Sequence, residues 1–343
     1  MNSIKIIQLE GETATKAIQK LFNENLNNRN LAHLNWQYND SPNGSLSLFA
    51  QNVKGEIMGT LSVLISKMDH FGNELKIAQA IDAVVDKEFR KNGVFMALLK
   101  SMNQQMIDQD IAMIYGFPSK NSAHAFFKRW EFQKLNPTPF KIKILSLNYL
   151  LKKIKLGSNN SIDLNIFINE PSEHPSIKTI AHFSSEVNDL WKHFSNNEFI
   201  AVKRNEGYLN WRYFDNPSFP YRALGFYDEN EKIQGFIIAS LQQKHGTNLL
   251  YIMELIHRRN KPEIPKALLK SISNIAKKAN AEISLCWCRK SYPNHAAFTS
   301  ANYFNLPEWL RPIELHTGFK PYKKDLKVRR DDFYISYSDS DTV

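Results

Sequence analysis

The stretch AIDAVVDKEFRKNGVFMALLKSM (80–102) decides the fold of the first half of the chain. It begins with an apolar run interrupted by one acidic residue, which predicts a strand that ends near Val85. A short polar loop follows and contains the residues Arg90 to Gly93. From Val94 to Asp108 the apolar residues fall on one stripe, which predicts a helix. Backbone N–H groups are exposed where a loop enters a helix, and such groups bind anions.

Strand-like and helix-like segments alternate on both sides of this stretch. Alternating apolar residues predict strands, and a turn at residues 53–56 joins the second and third of them into a hairpin. The predicted strands span residues 3–9, 45–52, 57–66, 75–85, 111–117 and 139–146. The predicted helices span residues 13–27, 94–108 and 121–130. The first half is therefore predicted to form one β/α unit.

The second half of the chain repeats the first. Four blocks recur in the same order, 170–176 residues apart. LNWQYNDSPNG (34–44) recurs as LNWRYFDNPSF (209–219), and the segment around Gly59 recurs around Gly235. ALLKSM (97–102) recurs as ALLKSI (267–272), and HAFFKRWEF (124–132) recurs as HAAFTSANYF (295–304). Ordered blocks at near-constant spacing indicate two copies of one unit. The drift in spacing indicates that the second copy has lost residues between its third strand and its central helix.

Length and composition agree with this organisation. A chain of 343 residues is expected to contain about two domains. The polar stretch GSNNS (157–161) is the expected linker, so we expect domains at residues 1–160 and 161–343. No apolar run approaches the roughly 18 residues of a membrane span, and the first residues carry no export signal. These features predict a cytoplasmic protein without a membrane span.

The chain is basic, with a formal net charge of +10 from 44 Lys and Arg against 34 Asp and Glu. A basic surface attracts anionic partners. No zinc-finger spacing or RNA-recognition signature is present, so we expect a phosphorylated small ligand and no nucleic acid. Cys286 and Cys288 are the two cysteines and have no paired histidine, so we expect no metal site.

Residues 85–95 resemble motif A of the GNAT acyltransferase superfamily, V-x-P-x-x-R-x-x-G-x-G/A. Arg90 and Gly93 match the motif, Lys87 replaces the proline, and Phe95 replaces the last Gly or Ala. Downstream, the stretch from Asn121 to WEF (130–132) is similar to the family's N-x-x-A-x-x-x-Y-x-x-x-G-F. The resemblance implies an α/β fold of two tandem GNAT-like domains, each a mixed, largely antiparallel sheet flanked by helices.

The resemblance also implies acyl-coenzyme A as co-substrate. In the superfamily the loop holds the pyrophosphate, and the preceding strand offers backbone groups to the pantetheine and the thioester. The residues implied for coenzyme binding are Val84, Val85, Arg90, Lys91, Asn92, Gly93, Val94, Phe95 and Asn121. The second copy reads IHRRNKPEIP (256–265), where no Gly is present and Pro262 and Pro265 lack N–H donors. We therefore expect one coenzyme site, in the first domain.

A narrower resemblance concerns the acyl acceptor. The W-x-Y blocks, the hairpin that follows them and the closing stretch FYISYSDSD (333–341) are similar to tandem-GNAT enzymes of bacterial surface-polysaccharide pathways. Those enzymes N-acylate nucleotide-linked amino sugars such as dTDP-3-amino-3,6-dideoxyhexoses. The alternatives are a Fem-type aminoacyl transferase, another GNAT amine acetyltransferase, or a non-catalytic acyl-CoA-binding protein. The complete loop at Arg90 to Gly93 disfavours the Fem type. The sequence does not indicate the oligomeric state.

Acyl transfer to an amine requires a group that accepts the amine proton. Asp82 is the carboxylate closest to the implied thioester site, although it could instead only hydrogen-bond the sugar or a neighbouring loop. His124 is the second candidate base, with a structural role as its alternative. Phe127 stands where many GNAT enzymes place a tyrosine acid, so no side-chain donor is expected there. Tyr115, on the preceding predicted strand, belongs either to the site or to the core.

The two W-x-Y blocks supply the candidate acceptor-binding residues. These are Trp36, Tyr38, Trp211, Arg212, Tyr213 and Asn216. Arg212 stands where the first block has Gln37, and a guanidinium forms bidentate contacts with phosphate. The alternative for Arg212 is a structural arginine stacked on Trp or paired with Asp215. The alternative for the aromatic residues is a place in the core.

Overall fold

The computed structural model describes residues 4–244, 246–307, 309, 316–329 and 331–340. The chain divides into two compact units. Unit 1 consists of residues 1–137 and 313–333, and unit 2 consists of residues 138–312 and 334–343. Each unit contains a mixed sheet flanked by helices, so the predicted α/β fold class is confirmed.

The sheet of unit 1 is largely antiparallel. Numbered in chain order, its strands are β1 (Lys5–Leu9), β2 (Ser45–Gln51), β3 (Ile57–His70), β4 (Asn73–Val85), β5 (Met113–Gly116), β6 (Gln133–Lys134) and β15 (Gly318–Pro321). Their order across the sheet is β1-β2-β3-β4-β5-β15-β6. The pair β4 and β5 is parallel, and the other neighbours in this order are antiparallel.

Helices of unit 1 cover the sheet through apolar faces. They are α1 (Gly11–Asn25), α2 (Leu31–Tyr38), α3 (Val94–Asp108) and α4 (Lys120–His124), and α4 continues as a π-turn at Ala125–Arg129. The apolar stripe of α3, which includes Leu98 and Met102, is buried against the sheet. Burial of such a stripe is the main stabilisation of a helix in a globular protein. The helix predicted at 94–108 is confirmed.

Unit 2 contains a sheet of the same design. Its strands are β7 (Phe140–Ile144), β8 (Ile177–Thr179), β10 (Tyr221–Tyr227), β11 (Ile233–Lys244), β12 (Thr247–His257), β13 (Ile283–Trp287) and β14 (Phe304–Asn305). Their order is β14-β7-β13-β12-β11-β10-β8. The pair β12 and β13 is parallel, like β4 and β5 in unit 1. The short strand β9 (Ile200–Val202) also belongs to the residues of this unit.

Six described helices complete unit 2: α5 (Asn148–Lys153), α6 (Leu164–Asn169), α7 (Glu186–Ser195), α8 (Glu206–Leu209), α9 (Glu263–Lys278) and α10 (His295–Ser300). The last described residues, 334–340, are all buried, and we call them the C-terminal segment. No helix in the described ranges is long and apolar enough to cross a membrane.

The structure bears out the repeat and its shortening. Strands β11 and β12 have 12 and 11 residues, whereas β3 and β4 have 14 and 13. Gly59 lies opposite Val85 in the first hairpin, and Gly235 lies opposite His257 in the second. Gly59 of the first copy therefore corresponds to Gly235 of the second, and Val85 corresponds to His257.

The predicted boundary at residue 160 differs from the observed division, which falls at residues 137/138. The strand predicted at 139–146 is β7, and it pairs with β13 and β14 of unit 2 and not with the sheet of unit 1. In unit 1 the corresponding place beside β5 is filled by β15, which comes from the chain beyond residue 312. Each unit therefore includes a strand that the sequence order assigns to the other copy.

Candidate active site

The central feature of unit 1 is a divergence of two parallel strands. Pairing between β4 and β5 runs from Ile77 with Met113 to Ala80 with Gly116 and ends there. Strand β4 continues for five more residues to Val85, and its other edge stays paired with β3 up to Gly59. Beyond Ala80, those N–H and C=O groups of β4 that point away from β3 therefore have no partner in β5, and a gap opens between the two strands. Backbone polar groups on an open strand edge are ready to bind an extended ligand.

Glycines shape both sides of this gap. A Cβ atom on Gly59 would lie 2.8 Å from the carbonyl oxygen of Val84, so only glycine allows β3 to hold the end of β4 this closely. A Cβ atom on Gly116 would lie 3.3 Å from the carbonyl oxygen of Ala80, where the two parallel strands part. The close approach at both points fixes the position of the open edge.

The loop after β4 leads into the start of a long helix. Asp86 accepts a hydrogen bond from the backbone N–H of Glu88 and caps the short 3₁₀ turn at Lys87–Phe89. Gly93 then precedes α3 with a φ of +80°, a left-handed conformation that favours glycine. Because α3 has 15 residues, its first turn presents unpaired N–H groups with the positive end of the helix dipole.

The residues predicted to bind the coenzyme surround this helix start. Lys91, Asn92 and Gly93 are exposed, and Arg90 is also exposed and donates from Nε to the carbonyl oxygen of Val85 at 3.2 Å. The arrangement combines an open strand edge, a helix N-terminus and two cationic side chains. It suits a ligand with an extended amide chain and a pyrophosphate.

The other predicted coenzyme residues have mixed environments. Val84 and Val94 are buried, so their side chains belong to the core and only their backbone groups face the site. Phe95 is half-buried and packs against the core of unit 1, which explains how a bulky residue is accommodated here. Asn121 lies in α4. His124 is exposed at the end of the same helix.

Asp82 lies on a β-bulge of β4, within the open part of the strand. Ser62 of β3 faces both Ile81 and Asp82, because Leu61 pairs with Ala83 and Val63 pairs with Ala80. A bulge redirects a side chain next to a functional gap. The bulge therefore accounts for a buried carboxylate in an otherwise apolar strand.

Both oxygens of the Asp82 carboxylate accept hydrogen bonds. Arg29 donates from Nη1 to Oδ1 at 3.0 Å, and the Tyr38 hydroxyl donates to Oδ2 at 2.6 Å. Arg29 also donates from Nη2 to Oε1 of Gln37 at 3.1 Å. Burial and the neighbouring Asp82 raise the pKa of Tyr38 well above its usual range, so its hydroxyl stays protonated and remains a donor.

Unit 1 thus brings Tyr38 into contact with Asp82, a contact that the sequence analysis does not predict. It also includes Arg29, which the sequence analysis missed. Trp36 is buried and tilted against His33, with ring centroids 5.0 Å apart. The signal that would have identified Arg29 is its position seven residues before Trp36, because Arg204 stands seven residues before Trp211.

Phe127 stands at the position that the family resemblance assigns to a tyrosine acid. Phe127 is half-buried in the π-turn and packs against the core of unit 1. Tyr115 is buried, and its hydroxyl donates to Oε1 of Gln79 at 3.0 Å. The ring of Phe127 fills the space beside Gly318, where an added Cβ atom would lie 2.7 Å from it.

Unit 2 lacks the features of the coenzyme loop. Pro262 precedes α9, and Pro265 is the third residue of that helix, so two N–H donors are missing where unit 1 presents Gly93 and the start of α3. Among the described residues, no group of three or more His, Cys, Asp or Glu side chains could hold a metal ion.

The acceptor residues predicted in unit 2 are all buried. Trp211, Tyr213 and Asn216 are less than 10% exposed, and the Tyr213 hydroxyl donates to Oγ of Ser338 at 2.8 Å. Arg212 donates to the carbonyl oxygens of Ser338 and Ser340 at 3.3 and 3.0 Å and to the Tyr221 hydroxyl at 3.1 Å. These contacts support a structural role for Arg212, which holds the C-terminal segment.

We expect Arg212→Ala to destabilise the protein, because it removes three charge-assisted hydrogen bonds and leaves buried carbonyl oxygens without donors. The expected loss in the free energy of unfolding is about 2–4 kcal/mol. Chemical denaturation of both proteins measures it. Unchanged stability together with a raised KM for the acceptor would instead assign Arg212 to acceptor binding.

A family model matches the first part of the chain. Residues 16–133, which contain the gap and the loop, match the family model described as an acetyltransferase (GNAT) domain. No curated protein matches the sequence significantly. The domain match supports an acyl-CoA-dependent N-acyltransferase.

Solved structures with little sequence identity share the fold. A conserved protein of unknown function from Enterococcus faecalis V583, described as a "probable N-acyltransferase", is 13% identical with a TM-score of 0.65, over 94% of this chain and 73% of that chain. N-myristoyltransferase from Saccharomyces cerevisiae with bound myristoyl-CoA is 12% identical with a TM-score of 0.59, over 94% and 80%. A GCN5-related N-acetyltransferase from Anabaena variabilis ATCC 29413 is 13% identical with a TM-score of 0.59, over 92% and 72%. The chain therefore shares the fold of these proteins along nearly its whole length.

Proposed function

We propose that this chain transfers an acyl group from acyl-CoA to the amine of a nucleotide-linked amino sugar. The assignment of acyl-CoA as the acyl donor rests on one observation. The open edge of β4 beyond Ala80 is followed by the loop from Arg90 to Gly93 at the start of α3. The similar fold of N-myristoyltransferase with bound myristoyl-CoA supports an acyl-CoA as the ligand of this fold.

The proposed coenzyme contacts follow from the geometry of unit 1. The N–H groups in the first turn of α3, together with Arg90 and Lys91, would bind the pyrophosphate. The open backbone groups of β4 between Ala80 and Val85 would bind the pantetheine amides. An N–H near Val84 and Val85 would polarise the thioester carbonyl, in the manner of an oxyanion hole.

In the proposed reaction the acceptor amine attacks the thioester carbon, a C–N bond forms and the C–S bond breaks. We propose Asp82 as the group that accepts the amine proton, because it lies on the open part of β4, with His124 as the next candidate. With Phe127 at the usual tyrosine position, water protonates the departing thiolate in this proposal. Positioning and carbonyl polarisation then supply most of the rate.

The acceptor assignment rests on the resemblance of the W-x-Y blocks and the closing stretch to surface-polysaccharide enzymes. We propose a dTDP-amino-dideoxyhexose as acceptor and an acetyl or short hydroxyacyl group, such as 3-hydroxybutanoyl, as the group transferred, in O-antigen or capsule biosynthesis. Release of free thiol from a panel of acyl-CoAs, with dTDP- and UDP-linked amino sugars as acceptors, tests the proposal. Thiol release with simple amines but none of these sugars would contradict the acceptor assignment.

We expect one acyl-CoA to bind per chain, because unit 1 has the complete helix start and unit 2 has Pro262 and Pro265 in its place. Isothermal titration calorimetry with acetyl-CoA measures the stoichiometry. Two equivalent sites would show that unit 2 also binds the coenzyme. No binding at all would favour a Fem-type transferase.

A further inference from the structure

One side chain connects helix α1 to the loop between β4 and α3. Asn25 is the last residue of α1, and Oδ1 of its amide accepts a hydrogen bond from the backbone N–H of Lys87 at 2.8 Å. Its Nδ2 donates to Oδ2 of Asp86 at 3.1 Å and to the carbonyl oxygen of Leu21 at 3.0 Å. The amide group of Asn25 therefore contacts both of the first two residues that follow β4.

The three hydrogen bonds fix the orientation of the Asn25 amide. Its Nδ2 has two acceptors, and its Oδ1 faces a donor. Rotation of the amide by half a turn would place an NH₂ group against the Lys87 N–H and an oxygen against the carbonyl of Leu21 and the carboxylate of Asp86. All three contacts would then be repulsive, so Asn25 holds the loop in one geometry.

Asp86 connects Asn25 to the next residue of the loop. Its Oδ1 accepts from the backbone N–H of Glu88 at 2.8 Å, and its own N–H donates to the carbonyl oxygen of Met58 on β3 at 2.9 Å. Burial would raise the pKa of Asp86, but the hydrogen bonds from Asn25 and from the Glu88 N–H outweigh it and lower that pKa. The Asp86 carboxylate is therefore ionised at neutral pH, in the form that accepts both bonds.

These residues form the joint between the two parts of the proposed coenzyme site. On one side is the open edge of β4, which ends at Val85, and on the other is the loop from Arg90 to Gly93 before α3. A ligand that binds both parts at once requires a fixed distance and direction between them, because freedom at the joint is lost on binding and lowers the affinity. The contacts of Asn25 with Asp86 and Lys87 restrain this joint.

We propose that Asn25 is a positioning residue of the coenzyme site, which holds the chain where it leaves β4 and so places the start of α3 relative to the open edge of that strand. The inference rests on the proposed binding of acyl-CoA. It gives α1, which the sequence analysis leaves outside the site, a part in coenzyme binding. In this proposal Asn25 acts through the loop and not by contact with the coenzyme.

Unit 2 contains a connection at the corresponding place, made by a different side chain. Arg259 is the second residue after β12, as Lys87 is the second residue after β4. Arg259 donates from Nε and Nη2 to the carbonyl oxygens of Phe194 and Ser195 at the end of α7, at 2.7 and 3.1 Å. Because unit 2 lacks the features of the coenzyme loop, Arg259 supplies a matched control in which the same kind of connection is broken elsewhere.

The dissociation constant of acetyl-CoA, measured by isothermal titration calorimetry, tests the inference. Asn25→Ala removes all three hydrogen bonds, and we expect it to raise this constant by about tenfold to a hundredfold. The control Arg259→Ala is expected to lower the melting temperature and to leave the constant within about twofold of the wild-type value. A structural role alone would lower the melting temperature in both variants and leave acetyl-CoA binding by the folded protein unchanged.

A second substitution tests the bond between Asn25 and the Lys87 N–H. Lys87 is the first residue of the 3₁₀ turn, and Asp86 before it is extended with a ψ of 137°, so the backbone at residue 87 accommodates proline. Proline has no N–H, and its ring would meet Oδ1 of Asn25. Lys87→Pro alone is therefore expected to weaken acetyl-CoA binding.

The double variant Asn25→Ala with Lys87→Pro is expected to bind acetyl-CoA more tightly than either single variant. Alanine makes room for the proline ring, and the ring fixes the φ angle that the hydrogen bond had restrained. Lys87→Ala is the control for the lost ammonium, since it keeps the backbone N–H, and we expect it to bind within about threefold of the wild type.

Asn25→Asp replaces Asn25→Ala if the alanine variant does not fold. Aspartate has nearly the same shape and still accepts from the Lys87 N–H, but it places a second carboxylate beside Asp86. Repulsion between the two carboxylates is expected to disturb the loop and to raise the dissociation constant of acetyl-CoA by about tenfold.

The outcomes separate this inference from the proposed function. If the wild type binds acetyl-CoA and the folded Asn25 variant binds it within about twofold as tightly, the inference is overturned while the proposed coenzyme site stands. A double variant that binds more weakly than both single variants also overturns it, because independent defects add. Absence of acetyl-CoA binding by the wild type would contradict the proposed function and the inference together.

Discussion

Gly93→Asp is expected to weaken acyl-CoA binding by about a hundredfold or more. Gly93 directly precedes α3 with a φ of +80°, and among the described residues other than Gly93 and its chain neighbours no heavy atom lies within 4 Å of the place where a Cβ would stand. An aspartate side chain there would project a negative charge into the proposed pyrophosphate site. Calorimetric titration with acetyl-CoA measures the change.

The matched control for this prediction is Gly93→Asn. Asparagine has nearly the same shape as aspartate, both tolerate a positive φ better than other side chains, and both are good residues at a helix start. The two variants therefore share the backbone strain and differ in charge. We expect the asparagine variant to bind within about tenfold of the wild type. Equal weakening in both would show that backbone strain, and not the charge, disrupts the site.

The sequence was sufficient to predict the loop and its flanking elements. The strand predicted to end near Val85 and the helix predicted from Val94 to Asp108 are β4 and α3. Their patterns are local, because each apolar stripe depends only on residues within a few turns. The repeat was equally accessible, since Trp36 and Trp211 lie in nearly identical blocks.

The strand exchange could not be predicted in the same way. Residues 139–146 have a clear strand pattern, but the pattern does not say which sheet edge the strand joins. The place beside β5 is filled by β15, almost 180 residues later in the chain than β7. Strand pairing is a long-range property, and the two nearly equivalent sheets each offer a compatible edge.

The sequence pattern alone does not predict the roles of two arginines, Arg212 and Arg29. The sequence leaves Arg212 open between acceptor binding and a structural role, whereas the structure shows it buried and donating to carbonyl oxygens of the C-terminal segment. Arg29 lies in a polar stretch that looks solvated in the sequence, but it pairs with Asp82. The partners of both are distant in sequence, so their roles depended on knowing the fold.

Asp82→Asn is expected to lower kcat by about 10²–10⁴-fold and to remove the acidic limb of the pH–rate profile. Asparagine keeps the shape of the side chain and cannot accept the amine proton. It also leaves the guanidinium of Arg29 without this carboxylate, so we expect a loss in the free energy of unfolding of about 3 kcal/mol. Rates are therefore compared per folded protein, at a temperature at which both melting curves show the native state.

Two further variants distinguish proton transfer from positioning. Tyr38→Phe removes the hydrogen bond to Oδ2 of Asp82 and keeps the carboxylate, so the acidic limb should remain. Glu254→Gln breaks the equivalent ion pair in unit 2, which joins Glu254 to Arg204, and should reduce stability without changing the profile. If Asp82→Asn lowers kcat less than about tenfold and leaves the pH–rate profile unchanged, Asp82 is not the base. Its role is then to hold Arg29 and Tyr38 in place, as Glu254 holds Arg204. His124, exposed at the end of α4, is then the base to test next.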